Sequence, residues 1–240
     1  MPQKPYRRGY PVAILIGVEC DHASIWQIFS QVAKHQQTIP LNGSRMSAKS
    51  VYNFHELILN ALRPVLQEGV KSIVVASPPR TSFAQGFLSH VRSHHAWLFQ
   101  GQNKAAISTI TGSASTPADV AVLTKTEAFK QLVNETTAKE TENLLGILEK
   151  KLNSEAELVF YSLEEAENLI LPMLPPSKVQ LDYLLLTDEY LSESRRKNRV
   201  QRLLQIAKNK GVKTRVISSE TAAGERINQL GGLICLAEHA

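Results

Sequence analysis

The chain has 240 residues, a hydrophobic content of 43% and a formal net charge of +5, so it is long enough for one large or two ordinary domains with packed cores. It contains neither a run of eighteen apolar residues to span a membrane nor an apolar signal region, and we expect a reduced, cytoplasmic protein. The two cysteines, Cys20 and Cys235, lie far apart without a C-x-x-C partner, which argues against a disulfide framework or a zinc site.

The positive charge is concentrated in the first part of the chain. Residues 1–104 contain eleven Lys and Arg against four Asp and Glu, whereas residues 105–240 contain sixteen against eighteen. This asymmetry suggests a polyanionic partner for the first part, and a moderately basic solvated surface is the alternative. The chain begins with a predicted basic arm at residues 1–10, which includes Arg7 and Arg8.

Hydrophobic patterning in the first half predicts alternating strands and helices. In chain order, the predicted elements are a strand at 12–18, a second strand within 23–34, a polar loop at 36–49, a helix from 50 to 69, a strand at 72–77, a short helix at 83–91, and a strand at 104–111. A loop of small residues at 112–116 then leads into the next helix. This alternation indicates an α/β layer architecture.

The second half begins with two predicted helices that are separated by a polar break. An amphipathic helix at 119–133 and a Lys- and Glu-rich helix at 137–152 flank the polar residues 134–137. We place the domain boundary at this break, so that the first domain comprises residues 11–134 and the second domain residues 135–240. The second domain is predicted to contain strands near 157–161, 181–187, 213–218 and 233–236 and helices near 162–171, 192–209 and 220–230.

Five short segments, in the same order, resemble the Pelota and class-1 translation release factor family. Ile73–Pro78 is similar to the Val-Ala-Ser-Pro end of a family strand, and Leu186–Tyr190 is similar to the family's Ile-Ser-Asp-Glu-Leu motif. The other segments are Thr111–Ser115, which resembles a small polar loop, Phe160–Leu163, which resembles a Phe-Tyr-Gly-Leu turn, and Ala223–Ile227, which resembles a Ser-Gly-Glu-Gln-Leu ending. The resemblance covers roughly residues 11–238. It implies two α/β domains: an RNase-H-like central-type domain, then a release-factor C-terminal-type domain with three layers, similar to a ribosomal protein.

Two features of the family pattern are missing from this sequence. Release factors carry Gly-Gly-Gln on a loop of the central domain, where the Gln orients the hydrolytic water, whereas the corresponding residues here are Asn42-Gly43-Ser44-Arg45. Pelota also lacks this triplet and has a basic loop there. The family's N-terminal domain, which enters the decoding site, has no counterpart in this sequence, which leaves a short paralogue or a fragment open. We therefore expect binding rather than peptide release.

The resemblance implies a non-catalytic, ribosome-associated translation factor that acts in ribosome rescue, recycling or translational quality control. The cations expected to contact ribosomal RNA phosphates are Arg7, Arg8, Lys34, Arg45 and Lys49. A basic helix is expected to bind partner proteins through Arg195, Arg196 and Arg199, with a solvated helix face as the alternative. By resemblance, the partners are a translational GTPase and the ribosome-recycling ATPase. No cofactor, metal ion or catalytic residue is expected.

Two other functions remain open from the sequence. A metal-dependent ribonuclease on the RNase-H-like fold would use Glu19, Asp21 and Glu56 to hold metal ions, and solvated strand-end carboxylates are the simpler interpretation. A structural subunit of a larger complex is the other alternative, and it would bind proteins without binding ribosomes.

Two segments that contain histidine also carry residue types capable of chemistry. The segment Cys20–His22 holds a nucleophile, an acid and a base, but adjacent residues on a strand point to opposite faces, so we expect no nucleophile–base contact within it. The pair His94-His95, next to Trp97, could bind a metal ion or stack on a base, and a surface loop is the alternative.

Overall fold

A computed structural model of the chain describes residues 9–101, 104–154, 158–172 and 179–239. Arg7 and Arg8 of the predicted basic arm lie outside the described residues. The internal contacts divide the chain into two compact units, one of residues 1–64 and 70–140 and the other of residues 65–69 and 141–240. None of the helices in the described part of the chain is both long enough and apolar enough to cross a membrane.

The first unit is built on a five-stranded mixed sheet. Its strands are β1 Pro11–Val18, β2 His22–Phe29, β3 Ala33–Pro40, β4 Ser72–Ser77 and β5 Ala106–Thr111. Their order across the sheet is β3-β2-β1-β4-β5. The first three strands form an antiparallel meander, and β4 and β5 continue the sheet parallel to β1. The central strands β1 and β4 are almost continuously apolar because both faces of this part of the sheet are covered.

Helices cover the sheet of the first unit. They are α1 Ala48–Gln67, α2 Phe83–His94, α3 Pro117–Leu123 and the first part of α4 Glu127–Leu152, with a short 3-10 helix at Ala96–Leu98. The buried side chains of α1 recur at helical spacing, at Phe54, Ile58 and Leu62, so one stripe of this helix faces the core. Another core cluster joins the sheet residues Leu15 and Trp26 to side chains of α3 and α4.

The polar stretch after β2 differs from the sequence prediction. The predicted loop at 36–49 is wrong in its first part, because residues 33–40 form strand β3 at the edge of the sheet. The predicted strand within 23–34 is divided between β2 and β3. Strand β3 is exposed at every residue except Ile39, and pairing with β2 satisfies its backbone on one side only. An edge strand of this kind tolerates polar side chains, so it lacks the apolar periodicity that predicts a strand from the sequence.

Helix α4 also differs from the sequence prediction. The predicted break at 134–137 is wrong, because a single helix runs from Glu127 to Leu152. Within the predicted break, the Thr136 hydroxyl lies 2.8 Å from the Leu132 carbonyl oxygen and 2.6 Å from the Ser72 Oγ. The polar side chain is thus satisfied without leaving the helix. The domain boundary predicted at 134/135 falls inside α4, and the division by internal contacts falls at 140/141.

The second unit is built on a four-stranded mixed sheet. Its strands are β6 Val159–Phe160, β7 Val179–Thr187, β8 Lys213–Ile217 and β9 Leu233–His239, in the order β6-β9-β7-β8. Its helices are α5 Leu163–Ile170, α6 Asp188–Glu193, α7 Lys197–Asn209 and α8 Ala222–Gln229. Strand β7 is parallel to β8 and antiparallel to β9. The predicted order of strands and helices from residue 157 onward agrees with the structure, except that the short helix α6 before α7 was not predicted.

The sheet of the second unit has helices on both faces. On β7, Tyr183 and Leu185 belong to one core cluster with side chains of α4 and α8, whereas Leu184 and Leu186 belong to another with side chains of α5 and α7. This alternation follows from the period of two in a strand, and it explains why β7 is apolar at successive positions. The three layers of this unit and the mixed sheet of the first unit confirm the predicted fold class, two α/β domains.

Candidate functional site at the β3–α1 loop

The loop between β3 and α1, residues 41–47, is held against the turn between β1 and β2. The Leu41 backbone N–H donates to the Asp21 carbonyl oxygen at 2.7 Å. The Arg45 Nε donates to the Cys20 carbonyl oxygen at 2.9 Å, and the Arg45 Nη2 donates to the carbonyl oxygen of Glu19. Gly43 has a φ of +106°, a left-handed conformation that favours glycine. Gly43 therefore allows the turn of the loop, and the Arg45 side chain holds the loop against the β1–β2 turn.

The Arg45 side chain lies along the protein rather than out into solvent. Its guanidinium is centred 4.2 Å from the ring of Phe83 and 5.0 Å from the ring of Phe54, which places the cation over two aromatic faces. Burial lowers the pKa of Arg45, although the group stays protonated at any physiological pH. Among the cations predicted to contact RNA, Arg45 thus uses its guanidinium for contacts within the protein.

The other two described cations of the predicted RNA-binding set are exposed and lie apart. Lys49 occupies the first turn of α1, directly after the loop. Lys34 lies near the start of β3, six residues before Pro40, which is roughly 20 Å away at about 3.3 Å per residue. Lys34 therefore belongs to strand β3 and lies outside the loop that contains Arg45 and precedes Lys49.

A chain of hydrogen bonds joins the β1–β2 turn to the β5–α3 loop. The His22 Nδ1 lies 2.7 Å from the Asp21 Oδ1, and the His22 Nε2 lies 2.7 Å from the Ser115 Oγ. Beside this chain, the Ser113 Oγ donates to the Glu19 Oε1 at 2.6 Å. The hydrogen bond with His22 lowers the pKa of the Asp21 carboxyl. The small polar loop at residues 112–116 is thus held by the side chains of Glu19 and His22, which lie more than ninety residues earlier in the sequence.

The side chains of Asp21 and His22 meet in an acid–base contact, which differs from the nucleophile–base contact that the sequence argued against. Residues 20 and 21 lie in the turn before β2, where the alternation of a strand does not apply. The hydroxyl that His22 contacts is that of Ser115, which sequence reasoning missed. Asp, His and Ser follow the order of a serine-hydrolase triad, but the Asp21 side chain is 77% exposed, whereas the acid of such a triad is buried. We interpret the hydrogen-bonded side chains of Asp21, His22 and Ser115 as a structural link between the β1–β2 turn and the β5–α3 loop.

The three carboxylates of the ribonuclease alternative do not come together. Glu19 accepts from Ser113, Asp21 contacts His22, and Glu56 contacts two histidines, His90 and His95. Among the residues that the structure describes, Glu56, His90 and His95 are the one group of three or more side chains arranged to share a metal ion. The predicted set of Glu19, Asp21 and Glu56 is therefore corrected, because Glu56 is grouped with His90 and His95.

The surroundings of Glu56 change its ionisation and that of its neighbours. Hydrogen bonds from His95 and His90 lower the pKa of the Glu56 carboxyl. Burial lowers the pKa of His90, and it lowers the pKa of His55 to about 4, with the His90 and Arg45 charges acting in the same direction. The group around Glu56 thus combines a carboxylate with buried imidazoles.

The three arginines predicted to bind partners differ in their contacts within the second unit. Arg199 of α7 forms a forked ion pair with Glu167 of α5, in which its Nε lies 3.0 Å from the Glu167 Oε1. This pair lowers the pKa of Glu167. Arg195 and Arg196 lie in the turn that precedes α7, and both side chains are exposed. Of the three arginines predicted to bind partners, Arg199 already has a partner within the unit.

Comparison with known proteins identifies the second part of the chain. Residues 138–238 match the family model described as eRF1 domain 3. The archaeal Pelota in a structure described as ribosome-bound archaeal Pelota and ABCE1 is 18% identical, with a TM-score of 0.53 over 94% of this chain and 61% of that one. This likeness shows the fold. No curated protein sequence matches the chain.

A second solved structure is Saccharomyces cerevisiae Dom34, described as a translation termination-like factor involved in RNA quality control pathways and interacting with Hbs1. It is 17% identical, with a TM-score of 0.49 over 94% of this chain and 62% of that one. The chain thus spans about three fifths of the length of these structures. The match to eRF1 domain 3 confirms, for residues 138–238, the resemblance to release factors that the sequence motifs indicated.

Proposed function

We propose that this chain, whose residues 138–238 match eRF1 domain 3, belongs to the Pelota and class-1 release factor family and acts as a non-catalytic, ribosome-associated translation factor. Its role would be ribosome rescue, recycling or translational quality control in the cytoplasm. The observation that carries the proposal is the domain match, and the five family motifs of the sequence support it.

The partners follow from the same similarity. Dom34 is described as interacting with Hbs1, and archaeal Pelota is described as bound to the ribosome together with ABCE1. We infer for this chain a translational GTPase and a ribosome-recycling ATPase as partners. The exposed Arg195 and Arg196 suit contacts with acidic protein surfaces, whereas Arg199 is engaged by Glu167.

Contacts to ribosomal RNA would use the basic first unit. Lys34 and Lys49 are exposed cations, and each can neutralise a phosphate, as Arg7 and Arg8 of the N-terminal arm would. Arg45 is expected to act indirectly, since its guanidinium holds the loop that carries the exposed Met46 and leads into the first turn of α1, where Lys49 lies. The lack of a Gln after Gly43 supports binding rather than hydrolysis at this loop.

Co-sedimentation with ribosomes over a series of salt concentrations tests the proposal. We expect binding that weakens as salt rises, because phosphate contacts release counterions. The double variant Lys34→Ala/Lys49→Ala should show a salt slope shallower by about 1.4–1.8 units if both lysines contact phosphates. The control Lys125→Ala/Lys150→Ala removes the same charge from exposed positions elsewhere and should leave the slope unchanged.

Absence of ribosome binding at every salt concentration would refute the proposal. Co-purification in a fixed ratio with proteins other than those of the ribosome would then favour the structural-subunit alternative. A slope that is equal in both double variants would leave ribosome binding in place and move the RNA contacts away from Lys34 and Lys49.

A further inference from the structure

Two buried histidines point at a single carboxylate between α1 and α2. The Glu56 Oε1 lies 2.8 Å from the His90 Nε2 and 2.7 Å from the His95 Nε2. One ligand-type atom from each of the three residues lies within 4.8 Å of the other two. His90 and His95 are 8% and 9% exposed, and Glu56 is half-buried. We call these three residues the Glu56–His90–His95 group.

The group lies in a concentration of histidines. His55 and His94 also adjoin it, so four of the seven histidines of the chain are found here. The ring of His90 is centred 4.9 Å from that of His55, 4.9 Å from that of His94 and 5.8 Å from that of His95. Imidazoles gathered around a carboxylate, with their nitrogens directed inward, are the usual first shell of a transition-metal site.

We propose that Glu56, His90 and His95 bind a divalent transition-metal ion, with Zn²⁺ as the best match. Two imidazole nitrogens and one carboxylate oxygen form the His₂Glu ligand set, which leaves a fourth position for water. Tetrahedral Zn²⁺ with bonds of about 2.0–2.2 Å holds its ligand atoms roughly 3.3–3.5 Å apart. The observed contacts of 2.7 and 2.8 Å would therefore widen by about 0.5–0.8 Å, a change within reach of side-chain rotation.

His55 supplies an independent reason to expect a further group at this place. Its side chain is 4% exposed, and its Nε2 is a buried atom without a hydrogen-bond partner among the described residues. A buried polar atom of this kind costs free energy unless water or an ion satisfies it. It sits on the residue before Glu56 and beside the ring of His90, so a water carried by the metal ion is a suitable partner.

The position of the ligands indicates what the ion would do. Glu56 comes from the middle of α1, His90 from α2, and His95 from the residue after the end of α2. An ion held by all three would fasten α1 to the C-terminal end of α2 and to the 3-10 helix that follows. The inferred role is structural, and it does not depend on the proposed function. His94, the other member of the pair noted in the sequence, is exposed and stays outside the ligand set.

Metal titration of the whole chain tests the inference. After treatment with a chelator, the protein is titrated with Zn²⁺ against a chromophoric competitor, and we expect one ion per chain with a Kd of about 1 µM or below. Glu56→Gln and His95→Ala should weaken binding by at least about tenfold. His94→Ala, which changes an exposed histidine one residue from His95, is the matched control and should bind as the unaltered protein does.

X-ray absorption on the Zn²⁺-loaded, unaltered protein identifies the ligand atoms of the ion directly. This readout does not depend on whether any variant folds. The inference requires two imidazole nitrogens and no sulfur in the first shell of the ion. A first shell with fewer imidazoles or with sulfur would overturn it. So would the absence of stoichiometric binding, or equal affinity in Glu56→Gln, His95→Ala and the control. In each of those outcomes the group is a hydrogen-bonded cluster and holds no metal.

Discussion

The His22 Nε2 and the Ser115 Oγ lie 2.7 Å apart although 93 residues separate them in the sequence. This contact joins the first residue of β2 to the loop that opens α3. The same loop is tied to the end of β1 through Ser113 and Glu19, and it is close to β1, since a Cβ on Gly17 would lie only 2.7 Å from the Ala114 carbonyl oxygen. The Trp26 Nε1 also donates to that oxygen, at 2.8 Å. One loop thus fixes the ends of two strands.

The Ser115→Ala variant should lower the free energy of unfolding by about 0.5–1.5 kcal/mol, because His22 loses a half-buried hydrogen-bond partner. Urea unfolding measures this change, and hydrogen exchange should show faster opening of residues 112–116. Ser93→Ala on the exposed side of α2 is the control and should change neither quantity. Equal stability and equal exchange in both variants would show that the contact between His22 and Ser115 contributes nothing.

Arg45 should matter to stability even though it lies in a surface loop. Its guanidinium donates to two backbone carbonyl oxygens and lies over two aromatic rings, so Arg45→Ala should cost about 1–3 kcal/mol. Arg45→Lys should recover only part of this loss, because an ammonium lacks the planar fork that reaches both carbonyls. Urea unfolding tests both variants.

Lys49→Ala is the control for Arg45, since Lys49 is an exposed cation of the adjacent turn. We expect its free energy of unfolding to stay within about 0.5 kcal/mol of the original. If Arg45→Ala changed the free energy of unfolding as little as Lys49→Ala, the contacts of the guanidinium would not stabilise the loop. The prediction that Arg45 contacts RNA directly would then be favoured.

Much of the fold follows from the sequence because many elements have one dominant local signal. The apolar run Val12–Val18 gives a buried strand, and the helical spacing of Phe54, Ile58 and Leu62 gives α1. The signal fails where tertiary context decides. Strand β3 is polar because it lies at an edge, and α4 continues through Thr136 because Ser72 and a backbone carbonyl satisfy its hydroxyl.

The site was less predictable than the fold. Loop residues 42–45 could be singled out by comparison with a family pattern, but the inward course of the Arg45 side chain depends on Cys20 and Phe83, which the local sequence does not link to it. Glu56 was selected for its charge, yet its partners are histidines 34 and 39 residues further on. A signal did exist for His90, which falls on the apolar stripe of α2 beside Phe87 and Val91.

The capping box at the start of α5 makes stability depend on pH. The Glu165 carboxylate accepts hydrogen bonds from the backbone N–H groups of Tyr161 at 3.0 Å and Ser162 at 3.1 Å, and these bonds lower its pKa from 4.5. The unfolded chain then binds the proton more readily than the folded chain. The contribution is therefore complete above the unfolded pKa and is lost as pH falls through the folded value.

Glu165→Gln should lower the free energy of unfolding at pH 7 by about 0.3–1 kcal/mol, since it removes a charge near a helix N-terminus. Between about pH 5 and pH 3 the variant should lose less stability than the unaltered chain. Urea unfolding at several pH values measures both effects, and Glu142→Gln, at an exposed position of α4, is the control. Parallel pH profiles for the unaltered chain and Glu165→Gln would contradict this account.

The β3–α1 loop should not release peptides from peptidyl-tRNA. A Gly-Gly-Gln loop brings its backbone close to the ester and holds a water there, whereas this loop has Gly43 followed by Ser44 and Arg45. The exposed Ser44 is too short to take the place of Gln, and the Arg45 guanidinium is turned towards the carbonyl oxygens of Glu19 and Cys20. We therefore expect neither residue to orient a water at the ester.

Programmed ribosomes that carry labelled peptidyl-tRNA test this prediction. We expect release at the rate seen without added factor, whether or not a translational GTPase is present. The Ser44→Ala and Arg45→Ala variants should give the same rate, and a class-1 release factor on stop-codon-programmed ribosomes is the positive control. Release above background that disappears in either variant would make this loop catalytic, because a binding loop gives no reason for a change in one side chain to abolish hydrolysis.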